Sequence, residues 1–119
     1  MITNKVNIGQ DNNVPRAVAR FGMGQVVVHS QLEYRGVVVD IDPVFFGSDK
    51  WYAEIASTSP PKNQPWYKVL INNVLDETYV PEQYLRADNS DEQINHPLLG
   101  AYFDEFNNGQ YINTSWRVN

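Results

Sequence analysis

The fold of this chain is decided in residues 24–43, which read GQVVVHSQLEYRGVVVDIDP. From Val37 to Asp42 the odd-numbered residues are Val, Val and Ile, and the even-numbered residues are Val, Asp and Asp. This period-two alternation predicts a half-buried strand. We expect a shorter strand just before it at Val26–His29, and Gly36 stands where a bulge or sharp twist would join the two. Two strands linked by a short polar segment predict the opening hairpin of a small barrel.

The length and composition of the chain exclude several classes of protein. For 119 residues we expect one domain with a modest hydrophobic core. The sequence contains no cysteine, which excludes disulfides, thiolate zinc sites and a cysteine nucleophile. No apolar run approaches the roughly 20 residues of a membrane span, and the N-terminus lacks the apolar core of a signal peptide. We therefore expect a cytoplasmic protein that does not associate with membranes.

Charge is distributed unevenly along the chain, and its sign bears on the partner. The net charge is −5, from nine Lys and Arg against fourteen Asp and Glu. Residues 1–75 hold seven basic and six acidic residues, a balance of +1, whereas residues 76–119 hold two basic and eight acidic residues, a balance of −6. A protein that binds duplex DNA mainly through phosphates is normally basic. Any DNA surface should therefore lie in the first part of the chain, and the acidic part suits a solvated face or a protein partner.

Beyond the opening hairpin, the pattern predicts short elements separated by polar turns. Ser48 or Asp49 is a candidate cap for a short helix over residues 49–56. Three prolines in residues 57–65 indicate an exposed, extended loop. We expect the remaining elements to be strands at 66–71 and 77–80, a helical turn at 81–84, a short strand at 94–97, and a terminal helix at 98–106 ended by Asn107-Asn108-Gly109.

These elements together predict a mainly β fold: a small SH3-like barrel of about five strands with one or two short helices. The segment TYVPEQYL at 78–85 favours this fold. It resembles the part of such barrels where a turn started by proline redirects the chain between the last two strands. We expect residues 1–20 to form a flexible arm, 21–112 the barrel domain and 113–119 a tail. The last ten residues, which are polar with interspersed aromatics, are expected to pack weakly.

Several separated blocks of sequence also resemble one known family. They are FGMGQVVVHS, YRGVVVDIDPVF, WYAEIA, SPPKNQPWY, VLINN, TYVPEQYL and INHPLLGAYF. In this order they are similar to the HspQ family, the YccV-like hemimethylated DNA-binding proteins, over about residues 20–112. One departure is Lys68, which stands where the family usually carries a histidine after Trp-Tyr.

The resemblance implies a non-enzymatic, cytoplasmic heat shock and stress-response factor. Members of the family are associated with hemimethylated DNA near the replication origin. They are also associated with the stimulation of ATP-dependent proteolysis, notably by Lon, including turnover of damaged replication initiator. The resemblance further implies a homo-oligomer, with a trimer as the candidate state. The exposed strand edges of a small barrel favour self-association independently.

Two pairs of aromatic residues are the strongest candidates for partner binding. Trp51-Tyr52 and Trp66-Tyr67 flank the proline-rich loop. Strand alternation should place one member of each pair in the core and leave the other to face outward, where aromatics often anchor protein partners. Tyr34, at the tip of the opening hairpin, is a further candidate for this surface.

Basic residues of the first part are the candidates for DNA binding. Arg35 adjoins Gly36 at the hairpin tip, where an arginine could reach a phosphate or a base edge, although a solvated turn residue is equally consistent with the pattern. The other candidates are Arg16, Arg20, Lys50 and Lys68. Weak, salt-sensitive binding is expected, because the chain as a whole is acidic.

The sequence offers little for catalysis or cofactor binding. Asp40 and Asp42 share a strand face and could hold a cation or act as an acid and base, but a solvated face with Asp42-Pro43 opening a turn is favoured. His29 and His96 have no nearby partner in a metal-binding spacing. There is no nucleophile elbow and no glycine-rich phosphate loop. We therefore expect no enzymatic activity, no metal and no cofactor.

Two functional hypotheses from different classes follow. In the first, the protein is an adaptor that engages an ATP-dependent protease or its substrates through aromatic and acidic surface. In the second, it is a regulator that recognises hemimethylated DNA. A generic SH3-like peptide-binding module is a third alternative, with less support because the acidic features that usually line a proline-peptide groove are not visible.

Overall fold

Five strands of the chain form one antiparallel sheet. The computed structural model describes residues 18–55 and 60–117, so most of the predicted arm, with Arg16, residues 57–59 of the proline-rich loop and residues 118–119 of the tail lie outside the described part. The strands are β1 (Val26–His29), β2 (Arg35–Asp42), β3 (Trp66–Ile71), β4 (Glu77–Pro81) and β5 (Leu85–Ala87), arranged side by side as β4-β3-β2-β1-β5.

Short helical elements and a second, two-stranded sheet complete the fold. A single 3-10 turn, Glu82–Tyr84, joins β4 to β5. The strand order and this turn are those of an SH3-like barrel, so the predicted mainly β fold class is confirmed. The other elements are α1 (Asp49–Ile55), α2 (Leu99–Tyr102), β6 (Glu105–Asn107), β7 (Gln110–Ile112) and a last 3-10 turn at Thr114–Arg117. No helix in the described ranges is both long enough and apolar enough to cross a membrane.

Strand β2 is buried on both of its faces. Val38 packs with Val27 and Tyr67 in one core, while Val37 packs with Leu70 in a second core. Neighbouring residues of a strand point to opposite sides of the sheet, so the sheet separates the two cores. The predicted half-buried strand is therefore covered on its second face as well.

The second core explains where the predictions for the C-terminal part are wrong. The strand expected at 94–97 does not form, and the fifth strand of the sheet is instead Leu85–Ala87. Ile94 is fixed by a side chain, because its N–H donates to the hydroxyl of Tyr111 at 2.7 Å. Tyr111 is itself buried, so the last ten residues do not pack weakly as a whole.

The predicted terminal helix is also shorter than expected. It ends after one turn at Tyr102, and β6 and β7 follow as a hairpin. Asn108 and Gly109 both have positive φ, 53° and 78°. An Asn-Gly pair in this conformation is typical of a two-residue hairpin turn. The Asn-Gly pair is thus a hairpin signal, and its interpretation as the end of a helix is wrong.

Gly36 is required by close packing between strands. The register shift of β2 against β3 lies between Val38 and Asp40, so the bulge predicted at Gly36 is found further along the strand. A Cβ atom on Gly36 would lie 2.4 Å from Cγ1 of Val69 and 2.6 Å from the carbonyl oxygen of Leu70. Only glycine allows β2 and β3 to approach this closely.

We predict that Gly36→Ala lowers the free energy of unfolding by about 1–3 kcal/mol, the usual cost of overpacking a core. The matched control is Gly100→Ala in α2, because a Cβ atom there meets nothing within 4 Å and alanine favours helix by about 0.5–1 kcal/mol. Urea unfolding of the two variants checks the prediction. Equal stabilities would contradict it.

Candidate functional site

An aromatic cluster forms where α1 lies against β3 and β4. The ring centroids of Phe45 and Trp66 are 4.9 Å apart, and those of Trp66 and Tyr79 are 5.2 Å apart. Trp51 approaches all three rings from α1. The helix begins as predicted at Ser48, whose Oγ accepts a hydrogen bond from the N–H of Trp51 at 3.0 Å. Edge-to-face and tilted contacts of this kind add to the stabilisation from burial.

Tyr79 is held in the cluster by hydrogen bonds through its hydroxyl. It donates to Oδ2 of Asp42 at 2.5 Å and accepts from the N–H of Phe46 at 3.1 Å. Burial raises the pKa of the Tyr79 hydroxyl, and the bond to the Asp42 carboxylate raises it further. Asp42 is thus the acceptor for a structural tyrosine, which is neither of the two roles, cation ligand or catalytic group, considered for it.

A groove of about 560 Å³ opens beside this cluster. None of its lining residues is Lys, Arg, Asp or Glu, and six of them carry an aromatic or imidazole ring. The lining residues are His29, Gln31, Leu32, Tyr34, Trp51, Pro60, Trp66, Ile71, Thr78, Tyr79, Val80, Pro81 and Tyr84. The volume of the groove lies within the range typical of ligand-binding clefts.

The turn between β1 and β2 forms the wall of the groove opposite the cluster. The ring of His29 packs between Tyr34 and Tyr84, with centroids 5.1 and 5.6 Å away. Its Nδ1 accepts hydrogen bonds from the N–H groups of Gln31 and Leu32 at 3.2 and 3.0 Å. This wall places the side chain of Leu32 at the surface, where 72% of the residue is exposed.

The structure brings together part of the predicted partner-binding set. Tyr34, Trp51 and Trp66 all line the groove. The hydroxyl of Tyr52 donates to the carbonyl oxygen of Pro60 and so holds one rim of the groove in place. The sequence did not identify Leu32, Tyr79 or Tyr84 as groove residues, although the tyrosines of TYVPEQYL flank a proline.

The expectation that each aromatic pair has one outward-facing member is wrong for Trp66-Tyr67. Trp66 is 1% exposed and Tyr67 is fully buried, because both faces of β3 are covered. The hydroxyl of Tyr67 donates to Oε2 of Glu82 at 2.6 Å, and burial together with this bond raises the pKa of Tyr67 to about 12. Trp66 can contribute only to the floor of the groove, and Tyr67, in the first core, is out of reach of a partner.

Arg35 is engaged within the chain, which corrects its assignment as a free hairpin-tip cation. Its Nη2 lies 2.8 Å from Oδ2 of Asp88 and also donates to the carbonyl oxygen of Glu92, while its Nη1 donates to the carbonyl oxygen of Gln93. Burial alone would raise the pKa of Asp88, but the hydrogen bonds from Arg35 and Ser90 lower it below the usual value. Arg35 therefore holds the acidic 88–93 loop against β2, and we leave it out of a DNA-binding surface.

The other predicted cations lie on three separate segments of the chain. Arg20 precedes Phe21, which packs on Tyr67 in the first core. Lys68 follows Tyr67 in β3 and so projects from the opposite face of the sheet. Lys50 lies on α1 and is exposed. Trp51 of α1 contacts Trp66, which shares a face of the sheet with Lys68, so Lys50 and Lys68 belong to elements on the same side of the sheet.

The remaining candidates for chemistry are occupied by structural hydrogen bonds. Nδ1 of His96 accepts from the N–H of Leu98 at 3.1 Å, and its Nε2 lies 3.0 Å from the carbonyl oxygen of Asp76. Oδ1 of Asp40 accepts from the N–H of Ile41. Among residues 18–55 and 60–117, no group of three or more His, Cys, Asp or Glu residues could hold a metal ion.

His29 should make stability depend on pH. Burial lowers its pKa from the ordinary 6.5, so below that pH the unfolded state binds a proton that the folded state resists. Stability is then present at neutral pH and is lost as the pH falls below about 6.5. We predict that this loss is smaller in His29→Asn, whose amide oxygen can accept the same N–H groups. Urea unfolding from pH 7.5 to 5 checks the prediction, and identical profiles would contradict it.

The family model for the YccV-like hemimethylated DNA-binding proteins matches residues 19–110. The match spans all five strands of the main sheet, α1, α2 and every residue that lines the groove. It confirms the resemblance found in the sequence blocks. The chain belongs to the YccV-like family of hemimethylated DNA-binding proteins.

Proposed function

We propose that the protein is a non-enzymatic, cytoplasmic stress-response adaptor that promotes ATP-dependent, Lon-type proteolysis, including turnover of damaged replication initiator. The observation that carries the proposal is the open groove between α1, β4 and the β1–β2 turn, which exposes aromatic and aliphatic surface. Rigid aromatic side chains supply contact area at a small cost in conformational entropy, and they dominate the energetics of protein interfaces.

The charges around the groove support a protein partner over a nucleic acid at this site. No lysine or arginine lines it, whereas Glu33 and Glu77 are exposed and are chain neighbours of lining residues. Residues 76–119 carry a balance of −6. A negative surface repels phosphates and attracts a basic protein surface, which raises the association rate more than the affinity.

The groove predicts a difference between two exposed leucines. Leu32 lines it and is 72% exposed, while Leu75 is outside it and is 80% exposed. Neither substitution should affect folding, because both side chains already face water. We expect Leu32→Asp to reduce the stimulation of Lon-dependent degradation of an unfolded substrate by about tenfold, which corresponds to a loss of ~1.4 kcal/mol in binding and lies in the range for an interface side chain, and Leu75→Asp to retain it.

The measurement is the initial rate of degradation without the protein, with the wild-type chain and with each variant. If the wild-type chain does not change the rate, the adaptor function is rejected. Stimulation with equal loss in both variants would mean that the groove is not the docking site.

The second candidate function is binding of hemimethylated DNA, which the family favours. Because the candidate cations Arg20, Lys50 and Lys68 are few, we propose that a homo-oligomer, with a trimer as the candidate state, gathers several copies of them on one surface. Repeating a weak contact in several copies raises the overall affinity without any new interaction. Binding should remain salt-sensitive, because the net charge of each chain is −5.

For this second function we predict that Arg20→Gln and Lys50→Gln each weaken binding to a hemimethylated duplex. Each should also reduce the slope of log affinity against log salt concentration by about 1 for every phosphate that the complex no longer neutralises. Arg86→Gln, an exposed position on β5 outside the predicted set, is the control. Anisotropy titrations with hemimethylated, unmethylated and fully methylated duplexes check this, with light scattering for the oligomer. Unchanged slopes in the first two variants would contradict the prediction.

A further inference from the structure

One edge of the main sheet presents unpaired main-chain groups. Strand β4 pairs only with β3 in the described part of the chain. The N–H of Glu82 donates to the carbonyl oxygen of Pro65 at 2.9 Å, and the N–H of Ile71 donates to that of Asp76 at 3.1 Å. These two bonds lie at opposite ends of the β3–β4 ladder.

The alternation of hydrogen bonds in an antiparallel ladder then shows which residues of β4 bond to β3. Hydrogen-bonded and non-hydrogen-bonded pairs alternate, so Val80 opposite Tyr67 and Thr78 opposite Val69 bond to β3. Tyr79 and Glu77 occupy the non-hydrogen-bonded positions. Their N–H and C=O groups point away from β3, and no described residue forms a main-chain hydrogen bond with them.

The groove follows this free edge. Thr78 and Val80 on one face of β4 line it, and so do Tyr79 and Pro81 on the other face. A cavity lined by residues from both faces of an edge strand must lie alongside the edge. The unpaired groups of Tyr79 are therefore directed at the groove.

Pro81 limits how far the edge could be extended. It is opposite Trp66, a non-hydrogen-bonded position, where an ordinary residue would present a further N–H to the groove. Proline lacks this donor, a common means of protecting an edge strand. The available edge is thus short, from Glu77 to Tyr79, and suits an extended segment of about four residues at ~3.4 Å per residue.

The occupant is indicated by the chemistry around the edge. The lining is mainly apolar and has no cation, and the exposed acidic residues Glu33 and Glu77 are chain neighbours of lining residues. A second copy pairing through the same edge would bring two surfaces with the same acidic residues together, and surfaces of like charge repel each other. An extended segment can hydrogen-bond to the free edge through its main chain. Its alternating apolar side chains fit the groove, and at least one lysine or arginine complements the nearby carboxylates.

We propose that the free edge of β4 binds such a basic, apolar peptide segment of another protein as an added strand. The segment hydrogen-bonds to the main chain of Glu77 and Tyr79. Its alternate side chains contact Trp51 and Tyr79 on one side and Tyr34 on the other. This inference rests on the proposed adaptor function and specifies how the groove holds its partner: by main-chain bonds that accept many sequences.

The variant that tests the edge is Glu77→Pro. Glu77 is the first residue of β4 and its N–H makes no bond to β3, so proline there removes one edge donor and leaves the β3–β4 ladder intact. The matched control is Glu77→Ala, which loses the same carboxylate and keeps the N–H. Amide resonances of the full-length chain are followed during titration with acetyl-Thr-Val-Lys-Val-Thr-Val-amide.

We expect the peptide to shift the amide resonances of Glu77 and Tyr79 in the wild-type chain. Glu77→Pro should bind it roughly 3- to 10-fold more weakly, the loss expected for one main-chain hydrogen bond. Glu77→Ala should remain within about twofold of the wild-type chain at physiological salt, where exposed charges contribute little. A peptide N-methylated at residues 2 and 4 and one N-methylated at residues 3 and 5 should differ in affinity, because only one edge of the added strand pairs with β4.

Four results would overturn the proposal. Equal binding of both N-methylated peptides and the parent peptide would exclude main-chain pairing. Shifts of the Glu77 and Tyr79 amides with protein concentration alone would assign the edge to self-association, and shifts with a hemimethylated duplex would assign it to DNA. If Glu77→Pro stimulates Lon as the wild-type chain does, the edge is rejected while the adaptor function stands.

Discussion

The burial of both faces of β2 is the constraint on which the rest of the structure depends. Val37 and Val38 are neighbours in sequence, project to opposite sides of the sheet, and are both fully buried. Complete burial of an aliphatic side chain contributes about 1.5–3 kcal/mol, and on each side it needs a covering layer. The barrel interior covers Val38. The 94–111 segment covers Val37, so the C-terminal hairpin belongs to the hydrophobic core although its sequence is largely polar.

The groove is a consequence of how the two cores are distributed. The second core covers one end of the outer sheet face, and α1 with its aromatic side chains covers the other end. Between α1 and the β1–β2 turn, the edge of β4 has no covering strand in the described part of the chain. Hydrogen bonds then fix the surrounding rings, from Tyr79 to Asp42 and from the Gln31 and Leu32 amides to His29. A site whose side chains are held in this way loses little entropy when a partner binds.

The two functions proposed for the chain depend on different charges. Arg35 forms an ion pair with Asp88, and Lys62 lies 3.6 Å from a carboxylate oxygen of Asp49, so two of the cations of the first part are already partnered. The groove has acidic neighbours, and few cations are left for contact with a phosphate backbone. The proposed protein partner therefore depends on the groove, whereas DNA binding, which the family favours, depends on the few cations that remain.

The sequence predicted several local features: β2 from its period-two pattern, α1 from a cap at Ser48 or Asp49, and the 3-10 turn from Pro81. These features depend on residues a few positions apart, so they can be predicted from the sequence alone. Only the tertiary structure decided that Trp66 and Tyr67 are both buried, that Arg35 binds Asp88, and that the groove runs along β4. The contacts behind these outcomes join residues that lie far apart in the sequence, for example 15 residues for Tyr67 and Glu82 and 53 residues for Arg35 and Asp88. The hydrophobic pattern along the chain does not specify these long-range contacts.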